Sequence, residues 1–180
     1  MVVGQFGSFI HGFKEAYDGT IEEGDLFLTT DPYACNGAIS HINDWLLLRP
    51  IFKDGRLIAY AAMFGHMTDV GGKVPGSLPT DAREIFEEGI RVPPLKIFKN
   101  DELQTDVLNL ILHNSRMPTW NRSDFNALVA AMRTAEKRVI EMAERFGDDE
   151  YYSALDELLA RNKRAMGKLI KDTVPTKKQY

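Results

Sequence analysis

Two apolar runs, residues 45–52 (WLLLRPIF) and 56–64 (RLIAYAAMF), are separated only by Lys53-Asp54-Gly55. An Asp-Gly pair accepts the positive φ angles of a tight turn, and such a turn matches the twist of paired strands. The two runs therefore read as antiparallel neighbours in one hairpin. A hairpin returns the chain to its starting point, with paired strands about 4.8 Å apart. The residues just before the first run and just after the second are thus placed side by side.

Those flanks carry chemistry. His41-Ile42-Asn43-Asp44 precedes the first run and His66-Met67-Thr68-Asp69 follows the second. Two imidazoles and two carboxylates are gathered at the open end of one hairpin, on loops held by a rigid scaffold. Nitrogen and oxygen donors of this kind suit Zn, Mn or Fe(II). Two His and one carboxylate leave coordination positions open, as catalytic sites do. A spare carboxylate can instead steady an imidazole N–H. The competing reading is local: a strand-end His bonded to backbone, and an Asp closing a turn. Asp44 and His41 point to opposite faces in a regular strand, so a shared ion requires the backbone between them to turn.

The loop that follows, residues 65–79 (GHMTDVGGKVPGSLP), is too rich in glycine and proline for regular structure. Gly71, Gly72 and Lys73 offer backbone N–H groups and a charge to an anion, or simply a flexible connection. Cys35 and His41 share a loop region, but nothing nearby activates a thiol.

Elsewhere the spacing of Val3, Phe6, Phe9, Ile10, Phe13 and Tyr17 predicts a helix stopped near Gly19. Residues 25–30 read as a strand and residues 31–40 as a loop. Thr80 offers an N-cap for a short helix over 81–88, and residues 91–98 read as an edge strand or extended coil around Pro93-Pro94. Asp101 is placed to cap a helix running to His113, which Pro118 breaks. Helices are predicted over 123–146 and 149–170, forming a C-terminal helical hairpin, with Trp120 placed in the core. The class is α+β: antiparallel strands with a loop-borne site, then helices. Residues 1–100 form a mixed strand and loop region, 101–172 a helical one and 173–180 a polar tail. A helix beginning at residue 1 without an entry cap suggests a single fragment of a larger subunit.

Composition sets the outer limits. Hydrophobic residues are 44% and charged residues 27% of the 180, an ordinary globular balance. A net charge of −4 argues against a nucleic-acid backbone as partner. No apolar run approaches the roughly 18 residues of a membrane helix. A single cysteine excludes an internal disulfide and fits a reducing compartment, the cytoplasm. There is no GxxxxGK[ST] phosphate loop.

The segments GDLFLTTDPY (24–33), SHINDW (40–45), GHMTDVGGKVPGSLP (65–79) and EIFEEGIRVPPLKI (84–97) resemble the hydantoinase B/oxoprolinase family. That family includes large subunits of N-methylhydantoinases and alpha-type subunits of acetone and acetophenone carboxylases. Where the family usually reads Asn-Asp-Pro, this chain has Thr30-Asp31-Pro32. The resemblance implies part of a large subunit in a hetero-oligomer. An actin-like ATPase subunit is expected to bind ATP and phosphorylate a small-molecule substrate. It also implies a divalent metal, Mn or Zn, on His41, Asp44 and His66, with Asp69 in support or as an alternative ligand. Hydrolysis of an activated cyclic amide is the expected reaction. Ketone carboxylation is one alternative, and a non-catalytic metal-stabilised binding module or truncated paralogue is another.

Overall fold

A computed structural model describes residues 6–174; Val3 and residues 175–180 of the polar tail lie outside them. The elements are α1 (Phe6–Ala16), β1 (Leu26–Thr29), β2 (Asp44–Lys53), β3 (Arg56–His66), β4 (Leu95–Lys99), β5 (Glu102–Leu103), α2 (Thr105–His113), α3 (Pro118–Phe146) and α4 (Asp148–Thr173). The class is α+β, with one antiparallel sheet in the order β3-β2-β1-β4-β5. The chain divides into two compact units, Met1–Lys137 and Arg138–Tyr180.

In the first unit the sheet is covered on both faces. Successive strand residues point to opposite sides, and β2 shows it. Trp45 and Leu47 join Leu108, Ile111, Leu112, Phe125, Val129 and Met132 of α2 and α3. Leu46 and Leu48 join Phe9 and Phe13 of α1. Burial on both faces is why this strand reads as a continuous apolar run rather than an alternating one. Arg49 on β2 is buried, but its guanidinium meets Glu136 Oε2 at 2.9 Å and Asp101 Oδ1 at 3.0 Å.

The β2–β3 hairpin turns at Asp54 (φ 53°) and Gly55 (φ 73°). Its register also explains how Pro50 is tolerated within a strand. Met67 N–H donates to Asn43 O, so hydrogen-bonded pairs fall at Trp45/Gly65, Leu47/Met63 and Arg49/Ala61. Pro50 opposite Tyr60 is a non-hydrogen-bonded pair, and the proline removes no bond to β3.

Several expectations are corrected. No α-helix covers residues 81–88: only a 3-10 turn at Ile85–Glu87 forms, capped by Glu84 rather than Thr80. The Glu87 carboxylate folds back onto the N–H groups of Arg83 and Glu84, and its carbonyl accepts Lys73 N–H at 2.8 Å. The strand expected over 91–98 is β4 alone. The segment before it, interrupted by two prolines without N–H, is held through Val92 by Thr29 and Thr30. Asp101 caps no helix. Asn100 (φ 51°) and Asp101 (φ 61°) form the left-handed turn of a second hairpin, β4–β5, and α2 starts only at Thr105. Pro118 opens α3 instead of breaking a helix, since the first helical position needs no N–H. Trp120 is 64% exposed, not core.

Gly72 has φ +76°, and a Cβ there would collide with the Glu87 carbonyl oxygen. Gly72→Ala is therefore expected to lower stability by about 1–3 kcal/mol, the cost of one strained residue, read by urea denaturation.

In the second unit, α4 begins after Gly147 with Asp148, Asp149 and Glu150 in its first turn and Lys171 in its last, both favourable to the helix dipole. It has no buried residue, and Leu155, Leu159 and Met166 are exposed. Among the described residues no helix is long and apolar enough to cross a membrane.

Candidate metal centre

The last rung of the central hairpin pairs Asp44 with His66. It is a non-hydrogen-bonded rung, the kind in which facing side chains stand closest. Asp44 Oδ1 accordingly lies 3.0 Å from His66 Nδ1. Just before the strand the chain turns, with Asp44 N–H donating to His41 O at 3.2 Å. This turn carries His41 over the rung. Its Nε2 lies 2.9 Å from His66 Nδ1 and 3.4 Å from Asp44 Oδ1. The far nitrogen, His41 Nδ1, lies 2.9 Å from Ser40 Oγ, which fixes the ring with Nε2 inward.

Three ligand atoms, two imidazole nitrogens and one carboxylate oxygen, thus lie within 4.8 Å of one another. Donors sharing one ion at roughly 2.0–2.2 Å stand about 2.8–3.6 Å apart, for right-angle to tetrahedral openings. The observed spacings of 2.9, 3.0 and 3.4 Å match that span. Asp44 is buried, His41 half-buried and His66 exposed, so the cluster opens on one side. The donor set therefore fits a divalent ion with free coordination positions.

Asp69 is placed differently. It is 2% exposed, and its carboxylate accepts N–H bonds from Gly71, Gly76 and Arg116 at 2.9–3.0 Å and the Arg116 guanidinium at 3.0 Å. Burial alone pushes a carboxyl up, but these bonds outweigh it and hold Asp69 below the ordinary carboxylate value. Arg116 also donates to the carbonyls of Gly71, Gly72 and Val74, so the pair staples the glycine loop from within. The N–H groups of Gly71 and Lys73 donate inside the protein, and the Lys73 amine pairs with Asp81 and Glu87. Cys35 is buried in the cluster around α1, and burial pushes its thiol up.

Arg116 and Asn43 escape a reading of the sequence alone. Arg116 follows a helix end, where a basic residue is commonplace, and nothing in the sequence couples it to Asp69. Asn43 looks like a spacer inside a His-x-x-Asp. It is fully buried, and its Nδ2 donates to Met67 O at 3.0 Å and Gly76 O at 3.3 Å.

The hydantoinase B/oxoprolinase family model matches residues 1–180. Caprolactamase subunit beta of Pseudomonas jessenii is 38% identical over 152 residues, 84% of this chain and 26% of that subunit. The acetophenone carboxylase delta subunit of Aromatoleum aromaticum is 31% identical over 83% of this chain and 23% of its own length. The crystal structure of the ATP-dependent caprolactamase from Pseudomonas jessenii superposes with a TM-score of 0.87 at 33% identity, over 94% of this chain and 29% of that one. The chain thus spans about a quarter of the length of the relatives it matches. A match along the whole chain, together with a shared fold, places it: this chain belongs to the hydantoinase B/oxoprolinase family.

Proposed function

We propose that the chain is the metal-binding part of the large subunit of an ATP-dependent hydantoinase/oxoprolinase-type enzyme that opens a cyclic amide. One observation carries the reading: in a member of this family, His41, Asp44 and His66 converge at spacings that fit one ion. These three residues hold Mn or Zn. When bound, the metal polarises an oxygen and brings the pKa of its water toward about 7. The protein's part is orientation. The rigid rung fixes Asp44 and His66, the preceding turn brings in His41, and Ser40 sets that ring. An actin-like ATPase subunit supplies the phosphorylation that activates the substrate, in a hetero-oligomer.

Identity of 38% to a caprolactamase subunit favours the amide reaction. Identity of 31% to an acetophenone carboxylase subunit supports ketone carboxylation as the second reading. The test is the full-length protein co-purified with its ATPase partner, assayed on caprolactam, 5-oxoproline, hydantoin and, with bicarbonate, acetophenone. Ring opening that requires both ATP and a stoichiometric metal is expected. Full activity in metal-depleted enzyme would overturn the reading, and bicarbonate-dependent consumption of acetophenone would select the carboxylase.

A further inference from the structure

We propose that Asn43 is the positioning residue of this centre, its buried amide locking the segment that bears His41 and Asp44 against the segment that bears His66. The proposal rests on the reading of those three residues as metal ligands. The main-chain ladder reaches one step past the Asp44–His66 rung, where Met67 N–H donates to Asn43 O at 2.8 Å. Met67 O is then met by the side chain, since Asn43 Nδ2 donates to it at 3.0 Å. The same amide reaches Gly76 O at 3.3 Å, in the loop stapled by Asp69 and Arg116. Both of its N–H donors are therefore aimed at carbonyls on the far side of the centre.

The chemistry demands an amide at this site. Asn43 is 0% exposed. Aspartate there sets a negative oxygen against two carbonyl oxygens, and alanine leaves both carbonyls unpaired without water. Its own Oδ1 has no hydrogen-bond partner among the described residues. The side chain is thus retained with one acceptor unsatisfied, against the ordinary rule for buried polar atoms. That cost is offset if the two N–H contacts set the geometry of neighbouring ligands. Removing a group that orients metal ligands typically weakens the metal by roughly 10–100-fold.

The test uses full-length protein loaded with Mn(II) or Co(II). Wild type, His66→Ala, Asn43→Ala and Asn43→Ser are compared by calorimetry, Mn(II) electron paramagnetic resonance, Co(II) visible absorption and circular dichroism. Asn43→Ala is expected to fold, to bind metal roughly 10–100-fold more weakly and to give an altered Co(II) spectrum. Asn43→Ser, which keeps one donor, is expected to fall between it and wild type. Unchanged affinity and spectrum in a folded Asn43→Ala, with His66→Ala abolishing uptake, would overturn the proposal while leaving the metal reading intact. Absence of metal binding in wild type would overturn both. Unfolding of both Asn43 variants would make the residue a determinant of the fold rather than of the centre, and the proposal would fall.

Discussion

His66→Ala in the full-length protein is expected to abolish stoichiometric uptake of Mn or Zn and to leave the circular dichroism spectrum unchanged. The effect is large because the ring supplies one of the three ligand atoms that converge among the described residues. Loss of a direct ligand exceeds the roughly 10–100-fold that follows from loss of a group behind one. The fold is spared because the ring is exposed at the end of β3, and its hydrogen-bond contacts are with His41 and Asp44. Substitutions at exposed positions outside the core usually change stability by less than about 0.5 kcal/mol. Metal analysis by mass spectrometry decides the matter. Retained stoichiometric metal in this variant would count against the three-residue centre.

Asp69→Ala should give the converse result, a large loss of stability. Its carboxylate is buried and satisfies three backbone N–H groups and the Arg116 guanidinium. Truncation leaves those three N–H groups without their acceptor, while the half-exposed guanidinium can turn to water. Each buried donor left unsatisfied costs about 1–3 kcal/mol, measurable as a fall in the urea midpoint at constant slope. The pH dependence has a defined sign. The folded-state pKa of Asp69 is depressed, so its contribution is fully present above the unfolded value of about 3.9 and is lost as pH falls through the folded one. Wild type should therefore lose this increment only below about pH 4. Asp69→Asn, which cannot titrate, should show a flatter acid limb. An Asp69→Ala variant as stable as wild type would remove the carboxylate from its place at the centre of the loop.

The hairpin, the α+β class and the convergence of His41 with His66 were legible because each depends on contacts near in sequence. Asp-Gly between two apolar runs specifies a turn, and the turn specifies which residues face each other. The misread segments depend on partners far away. Pro118 was ambiguous because proline both ends helices and starts them, and only the chain before it decides. Asn100-Asp101 is a left-handed turn in form, but β5 is two residues long and shows no periodicity of its own. The helix expected at 81–88 gave way at Glu84, which is extended (φ −135°, ψ 145°) and caps a turn of only three residues. At the site, the sequence pointed to His41, Asp44 and His66 but not to the buried Asn43 amide or the Arg116 guanidinium that hold their surroundings, since neither residue type carries a spacing signature.

The candidate ligands sit at the two ends of one hairpin, and this bears on the order of assembly. His41 and His66 are 25 residues apart in the chain. The longest link in the sheet, β1 with β4, joins Phe27 to Lys96. Loop-closure entropy grows with the length of chain enclosed, so the shorter closure is the easier one. The imidazoles are therefore expected to meet as soon as β2 and β3 zip toward their open end, before the central strand has found β4. An ion caught at that moment would act as a clasp on a nascent hairpin, since anything that binds the folded form alone stabilises it. On the reading of His41, Asp44 and His66 as ligands, the centre would in this sense be an early folding unit.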